Sequence, residues 1–104
     1  MIDPLGPMQG NLRLVTFMTD FGLRDPSAGV LSGVVLAMTP DARTLDLTHA
    51  IPPYDVEAGA EALVESLVHL PIGAHVAVVD PGVGTQRRPI AIRCGRGDAL
   101  IGPD

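Results

Sequence analysis

The fold is decided by the stretch VVDPGVGTQRR, which occupies residues 78–88. An apolar run at residues 76–79 ends in the acid Asp80, continues through a turn with one proline and two glycines, and reaches Arg87 and Arg88. This pattern predicts a buried strand that presents a carboxylate at its C-terminal end, followed by a loop that returns two cations toward it. Ligands of open α/β sheets bind at that end of the strands, so the stretch is a candidate site. The alternative is ordinary turn chemistry with two solvated arginines.

Strand and helix patterns surround this stretch on both sides. The sequence predicts strands at residues 12–18, 43–47, 74–79, 89–94 and 99–101, and helices at residues 27–38 and 56–70. Their order predicts an α/β fold with a mostly parallel sheet, helices packed on it, and a hairpin at the end. Residues 1–11 are interpreted as a flexible leader. Residues 12–104 are interpreted as a truncated N-terminal α/β domain, since the last strand has no following helix to cover its sheet.

Apolar periodicity assigns an inward face to each helix. The predicted inward residues are Val30, Leu31, Val34, Val35 and Met38 in the first helix, and Val56, Ala60, Leu63, Val64 and Leu67 in the second. Asp55 is predicted to cap the second helix. The glutamates of that helix, spaced four apart, are predicted to face solvent.

Composition excludes several classes of function. The 104 residues carry a net charge of −5 without any basic cluster, which argues against a nucleic-acid partner. His49, His69, His75 and the single cysteine, Cys94, lack zinc-type spacing, so no metal is expected, and His69 and His75 are expected to be surface or capping residues. One cysteine fits a reducing cytoplasm, and no apolar run is long enough to span a membrane.

Three loops that follow predicted strands carry the polar chemistry. They are TDFG at residues 19–22, the segment at residues 49–55, and residues 80–88. If the three strands are parallel, all three loops open at one edge of the sheet and line one crevice. The chain has no P-loop and lacks a full dinucleotide fingerprint, so ordinary ATP and NAD sites are disfavoured.

Together these motifs resemble one family, the S-adenosyl-L-methionine (SAM) hydrolases, also called SAM hydroxide adenosyltransferases, which are related to fluorinase and chlorinase. The similarity rests on TDFG, on residues 47–49 with residues 53–56, and on residues 78–85 with the two arginines. It implies a protein more than twice this length, with a β-rich C-terminal domain that is absent here. It also implies a homotrimer whose sites lie between subunits, and no cofactor.

The resemblance implies that water attacks C5′ of the ribose and releases adenosine and L-methionine. Asp80 and Arg87 match two of the catalytic residues, and the third, a histidine, belongs to sequence beyond Asp104. Four further residues match substrate-binding positions: Asp20 for the ribose hydroxyls, Asp25 for the methionine ammonium, Ser27 for the methionine end, and Tyr54 near the ribose and sulfonium. Helix capping is the alternative for Asp20 and Asp25, and loop packing is the alternative for Tyr54.

Asp80 also separates hydrolysis from halogenation. The halogenases that this chain resembles carry an uncharged residue there, and a carboxylate would repel a halide in a closed site. Two other functions are left open by the residues: a SAM- or nucleoside-binding module without turnover, and an inactive truncated fragment.

Overall fold

A computed structural model of the chain describes residues 13–79 and 88–103. Its elements, in chain order, are β1 (Leu14–Thr19), α1 (Ser27–Met38), β2 (Arg43–Thr48), α2 (Val56–Leu67), β3 (Ala74–Val78), β4 (Pro89–Arg93) and β5 (Ala99–Pro103). Each predicted strand and helix is present, with ends that differ by at most a few residues. The predicted α/β class is confirmed.

The strands form one sheet in the order β2-β1-β3-β5-β4. β1 runs parallel to both of its neighbours, and β3 runs parallel to β5. Only the pairing of β4 with β5 is antiparallel, which confirms the predicted hairpin. Because β1, β2 and β3 point the same way, their carboxyl ends meet at one edge of the sheet, as the sequence predicts.

The core lies between this sheet and α2. Met18, Ile51 and Val79 form its buried cluster, and Leu63 of α2 packs against it. The helix comes close because Gly59 has no side chain: a Cβ there would lie 3.1 Å from Cγ2 of Val79. This close approach places Val79, the residue that follows β3 (Ala74–Val78), directly against α2.

The predicted inward faces of the helices are partly wrong. Leu31, Val35, Leu63 and Leu67 are half-buried, but at least half of the surface of Val30, Val34, Met38, Val56 and Val64 is exposed; Ala60 is exposed as well. In α1, apolar residues occur all around the helix, so their spacing selects no face. In α2, small residues rather than the predicted valines make the closest approach to the sheet. The glutamates Glu57, Glu61 and Glu65 are exposed as predicted.

The expectation for His75 is also wrong. Its ring is fully buried: Nε2 donates a hydrogen bond to Oδ1 of Asp98 at 2.8 Å, and Nδ1 lies 2.8 Å from Oγ1 of Thr16 in β1. His69 is exposed.

Among the described residues, neither helix has the length and apolarity needed to cross a bilayer.

Candidate functional site

The loops after β1 and β2 are joined by backbone hydrogen bonds at the carboxyl edge of the sheet. The amide of Gly22 donates to the carbonyl of His49 at 2.8 Å, and the amide of Ile51 donates to the carbonyl of Thr19 at 3.3 Å. Gly22 has a φ of +74°, a conformation that a residue with a side chain rarely adopts. Two of the three polar loops found in the sequence therefore form one joined surface.

Asp20 lies at the centre of this surface. Its amide donates to the carbonyl of Val78 at 3.3 Å, so the carboxyl end of β3 lies next to Asp20. Its Oδ2 accepts a hydrogen bond from the amide of Tyr54 at 2.9 Å. No donor among the described residues contacts Oδ1. Asp20 is thus a half-buried carboxylate that is held through Oδ2 by a described residue, and it caps neither α1 nor α2.

Tyr54 has a strained backbone. Its φ is +65°, and it is the one residue other than glycine, among those described, with a positive φ. Strain of this kind costs about 1–3 kcal/mol and occurs often at functional sites. The bond from its amide to Asp20 and the adjacent cap, where Asp55 accepts from the amide of Ala58 at 3.0 Å, hold the turn in place. Tyr54 as a whole is 64% exposed, so its side chain can be reached by a ligand.

Sequence reasoning missed the role of His49, whose side chain is buried behind this surface. Its Nδ1 lies 2.7 Å from Oγ1 of Thr19, and its Nε2 lies 2.9 Å from Oδ1 of Asp46. The carboxylate can only accept, so the proton of the neutral ring is assigned to Nε2, and Nδ1 accepts from the threonine hydroxyl. An Asp-x-x-His spacing at a strand end was the available signal.

Asp25 and Ser27 meet at the start of α1. Oδ1 of Asp25 accepts from the amide of Ser27 at 2.9 Å. The amide and hydroxyl of Ser27 lower the pKa of the exposed Asp25 carboxyl below its ordinary value. Ser27 and Phe21, which follows Asp20, line one shallow pocket of about 360 Å³. Asp25 therefore contacts the first residue of α1, although Pro26 is the N-cap residue of that helix, and the carboxylate is charged at neutral pH.

Asp80 and Arg87, the predicted catalytic residues, lie outside the described residues. Val79 and Arg88, which flank them, are described: Val79 is buried in the core cluster and Arg88 is exposed. Of the predicted site residues that are described, Asp20 is hydrogen-bonded to Tyr54, and Asp25 is hydrogen-bonded to Ser27. The strand segment that precedes Asp80 ends beside Asp20.

A second concavity, of about 230 Å³, lies between α2 and the β4–β5 hairpin. Its lining is almost wholly aliphatic, with Leu63, Ile90 and Ile92 as examples. None of the four predicted site residues that the structure describes lines it. Within residues 13–79 and 88–103, no cluster of three His, Cys, Asp or Glu side chains could hold a metal ion. The polar chemistry is at the sheet edge.

Comparison with known sequences gives the family. Residues 15–104 match the SAM hydroxide adenosyltransferase N-terminal domain. This chain belongs to the SAM hydroxide adenosyltransferase family. It is 49% identical over 90 residues to the (R)-S-adenosyl-L-methionine hydrolase of Salinispora arenicola, covering 86% of this chain and 34% of that protein. It is 49% identical over 94 residues to the hydrolase of the same name from Thermus thermophilus, covering 89% and 36%.

A more distant sequence and two solved structures match this chain as well. A fluorinase of Nocardia brasiliensis is 34% identical over 85 residues, covering 81% of this chain and 28% of that protein. Among solved structures, a conserved protein of Thermotoga maritima matches with a TM-score of 0.81 at 30% identity, over 86% of this chain and 35% of that one. A conserved Thermus thermophilus protein matches with a TM-score of 0.75 at 48% identity, over 88% and 38%. The chain thus spans about a third of the length of these SAM hydroxide adenosyltransferase relatives and structural neighbours.

Proposed function

We propose that the protein to which this domain belongs hydrolyses S-adenosyl-L-methionine to adenosine and L-methionine. One observation carries the proposal: the TDFG loop and the loop around Tyr54 are joined at the carboxyl edge of the sheet, where the strand segment before Asp80 also ends. The relatives at 49% identity named as SAM hydrolases support the same reaction.

In the proposed reaction, a water oxygen attacks C5′ of the ribose. The C5′–S bond breaks, and its electron pair goes to sulfur, which leaves as the neutral thioether of methionine. The leaving group is already good, so the protein's task is to align the water and to exclude competing solvent. Asp80 accepts the water's proton or a strong hydrogen bond from it, and Arg87 keeps that carboxylate ionised. No cofactor is needed for this displacement.

The described residues supply the binding side of the proposal. Asp20 accepts hydrogen bonds from the ribose hydroxyls, because an ionised carboxylate is an acceptor that suits a vicinal diol. Asp25, an exposed carboxylate, pairs with the methionine ammonium. Ser27 contacts the methionine end. The exposed ring of Tyr54 presents a π face to the sulfonium.

Halogenation is the second candidate, because fluorinases are among the relatives. The residue at position 80 argues against it, since a carboxylate repels the halide that such an enzyme must bind.

We further propose that the full-length protein acts in the cytoplasm as a homotrimer.

The proposal is tested by incubating the full-length protein with SAM and separating the products by chromatography. We expect adenosine and methionine in equal amounts, with a rate that added fluoride or chloride does not change. Tight binding of SAM without adenosine would favour the binding module, and a 5′-halogenated nucleoside would favour the halogenase.

A further inference from the structure

His49 is placed to control the orientation of Asp20 without touching a ligand. Its ring is 4% exposed, so no substrate reaches it in this structure. Its Nδ1 accepts a hydrogen bond from the hydroxyl of Thr19, the residue that precedes Asp20. The oxygen of that hydroxyl accepts a hydrogen bond from the amide of Phe21, the residue that follows Asp20, at 3.1 Å. The imidazole thus fixes the backbone on both sides of the carboxylate.

The other end of the ring is held by β2. Asp46 accepts from Nε2, and the register of β2 against β1 shifts at this point: Phe17 pairs with Asp46, and Met18 pairs with Thr48. Leu47 is therefore the extra residue of a bulge, a feature that re-aims side chains near active sites. The bulge brings Asp46 and His49, three residues apart, into contact.

We propose that His49 is a positioning residue for ribose recognition, which acts through Thr19 and sets the direction of the Asp20 carboxylate. This inference rests on the proposed function, in which Asp20 accepts the hydroxyls of the ribose. Without the Thr19–His49 bond, the segment around Asp20 would keep only its backbone bonds, from Ile51 to Thr19 and from Asp20 to Val78, together with the bond from Tyr54 to the carboxylate. The diol contacts would weaken, and contacts with the rest of the nucleoside would not.

The chain contains a matched control on the same strand. Thr16 of β1 is as fully buried as Thr19, and its hydroxyl meets Nδ1 of His75, whose Nε2 meets Asp98. The two networks have the same chemistry: a threonine hydroxyl, an imidazole and a carboxylate. The His75 network lies at the opposite end of the sheet, beside the start of β3. Breaking it should disturb the fold without disturbing Asp20.

The experiment uses the full-length protein and two ligands, adenosine and 2′,3′-dideoxyadenosine, which lacks the diol. Dissociation constants are measured by calorimetry for the wild type, Thr19→Val, His49→Ala, Thr16→Val and Asp20→Ala. Thr19→Val is nearly isosteric, so it tests the proposal even if the histidine variant does not fold. Circular dichroism confirms that each variant retains its secondary structure.

We expect the wild type to prefer adenosine, and Asp20→Ala to abolish the preference. Thr19→Val and His49→Ala should each reduce the preference about tenfold, the size expected for one well-formed polar contact. Thr16→Val should leave the preference for adenosine within about twofold of the wild-type value, since the hydroxyl of Thr16 is not bonded to the segment around Asp20.

Equal weakening of both nucleosides by Thr19→Val, or an unchanged preference in it, would overturn the positioning role. Failure of the proposed hydrolysis gives a different result: adenosine binds with the expected preference, and SAM is not turned over. The two inferences can therefore fail separately.

Discussion

At the residue scale, the two carboxylate oxygens of Asp20 are used differently. Oδ2 accepts the amide of Tyr54, and Oδ1 has no donor among the described residues. One oxygen therefore holds the strained turn before α2, and no described residue donates to the other, which the proposed function assigns to the ribose hydroxyls. A carboxylate that is anchored in this way loses less side-chain freedom on binding than a mobile one, so more of each new hydrogen bond is retained as affinity.

Asp80 carries the chemical step in the proposed reaction. We expect Asp80→Asn to lower kcat for SAM hydrolysis about 10²- to 10⁴-fold, the usual size of general-base assistance. KM should change far less, because the substrate contacts assigned to Asp20 and Tyr54 are retained. Arg88→Gln, next to Arg87 in sequence, is the control and should leave kcat within about threefold, since Arg88 is exposed and has no assigned catalytic role. Equal losses in turnover and affinity after Asp80→Asn would contradict the assignment.

At the element scale, the β4–β5 hairpin is fastened to β3 by Asp98. This buried carboxylate accepts from the amide of Gly73 at 3.0 Å, from Nε2 of His75 at 2.8 Å and from Nε of Arg96 at 2.6 Å. The guanidinium of Arg96, with the histidine and the amide, holds the pKa of Asp98 well below its ordinary value despite burial. The network joins the turn between β4 and β5 to the start of β3 and, through His75, to Thr16 of β1.

We expect Asp98→Asn to lower the free energy of unfolding by about 2–4 kcal/mol, because it removes a charged acceptor and leaves buried donors poorly satisfied. Asp41→Asn is the control. Asp41 faces Arg13 at 3.7 Å in an exposed pair, and the loss there should be under about 1 kcal/mol. Urea unfolding of the two variants measures both values. Similar losses in both would show that the Asp98 network adds no more stability than an exposed ion pair.

The sign of the pH dependence follows from the lowered pKa of Asp98. The unfolded chain binds this proton more readily than the folded chain does, so the carboxylate contributes its full stability above about pH 4. That contribution decreases as the pH falls below about 4 toward the folded-state pKa. Urea titrations between pH 6 and pH 3 should show a steeper loss in the wild type than in Asp98→Asn, and parallel curves would contradict this account.

The sequence was sufficient to predict where the strands and helices lie, but it predicted only in part which face of each helix is buried. Strand ends such as Thr19 and the cap at Asp55 were recognisable because acids, prolines and glycines interrupt apolar runs. The buried face of α1 was not, because Val30, Val34 and Leu31 offer apolar surface on several sides. The roles of His49 and His75 were missed for another reason: Thr19 and Thr16, their partners, are distant in sequence and become neighbours only when the strands pair.

At the scale of the whole molecule, the described residues leave apolar surface exposed. Val34 and Met38 of α1 and Ile92 of β4 are at least half exposed, and the aliphatic concavity beside α2 is open. Exposed apolar patches commonly mark contacts with other domains or subunits. The relatives are about three times the length of this chain, so they contain further sequence that could cover such surface.

We expect the full-length protein to be a homotrimer in solution. Trimer assembly buries apolar surface of the kind left exposed on α1, and the resemblance places each site between subunits. Light scattering coupled to size exclusion measures the mass, and dilution into the nanomolar range tests whether activity falls with dissociation. A monomer that retains full turnover would contradict the proposal.

The most direct test of the account follows the oxygen atom that attacks C5′. The full-length protein is incubated with SAM in H₂¹⁸O, and the adenosine is analysed by mass spectrometry. Displacement by water predicts one ¹⁸O in the 5′-hydroxyl of adenosine, unlabelled methionine, and a rate of label incorporation in Asp80→Asn that falls with its kcat. Adenosine without the label, or no adenosine at all, would contradict the account.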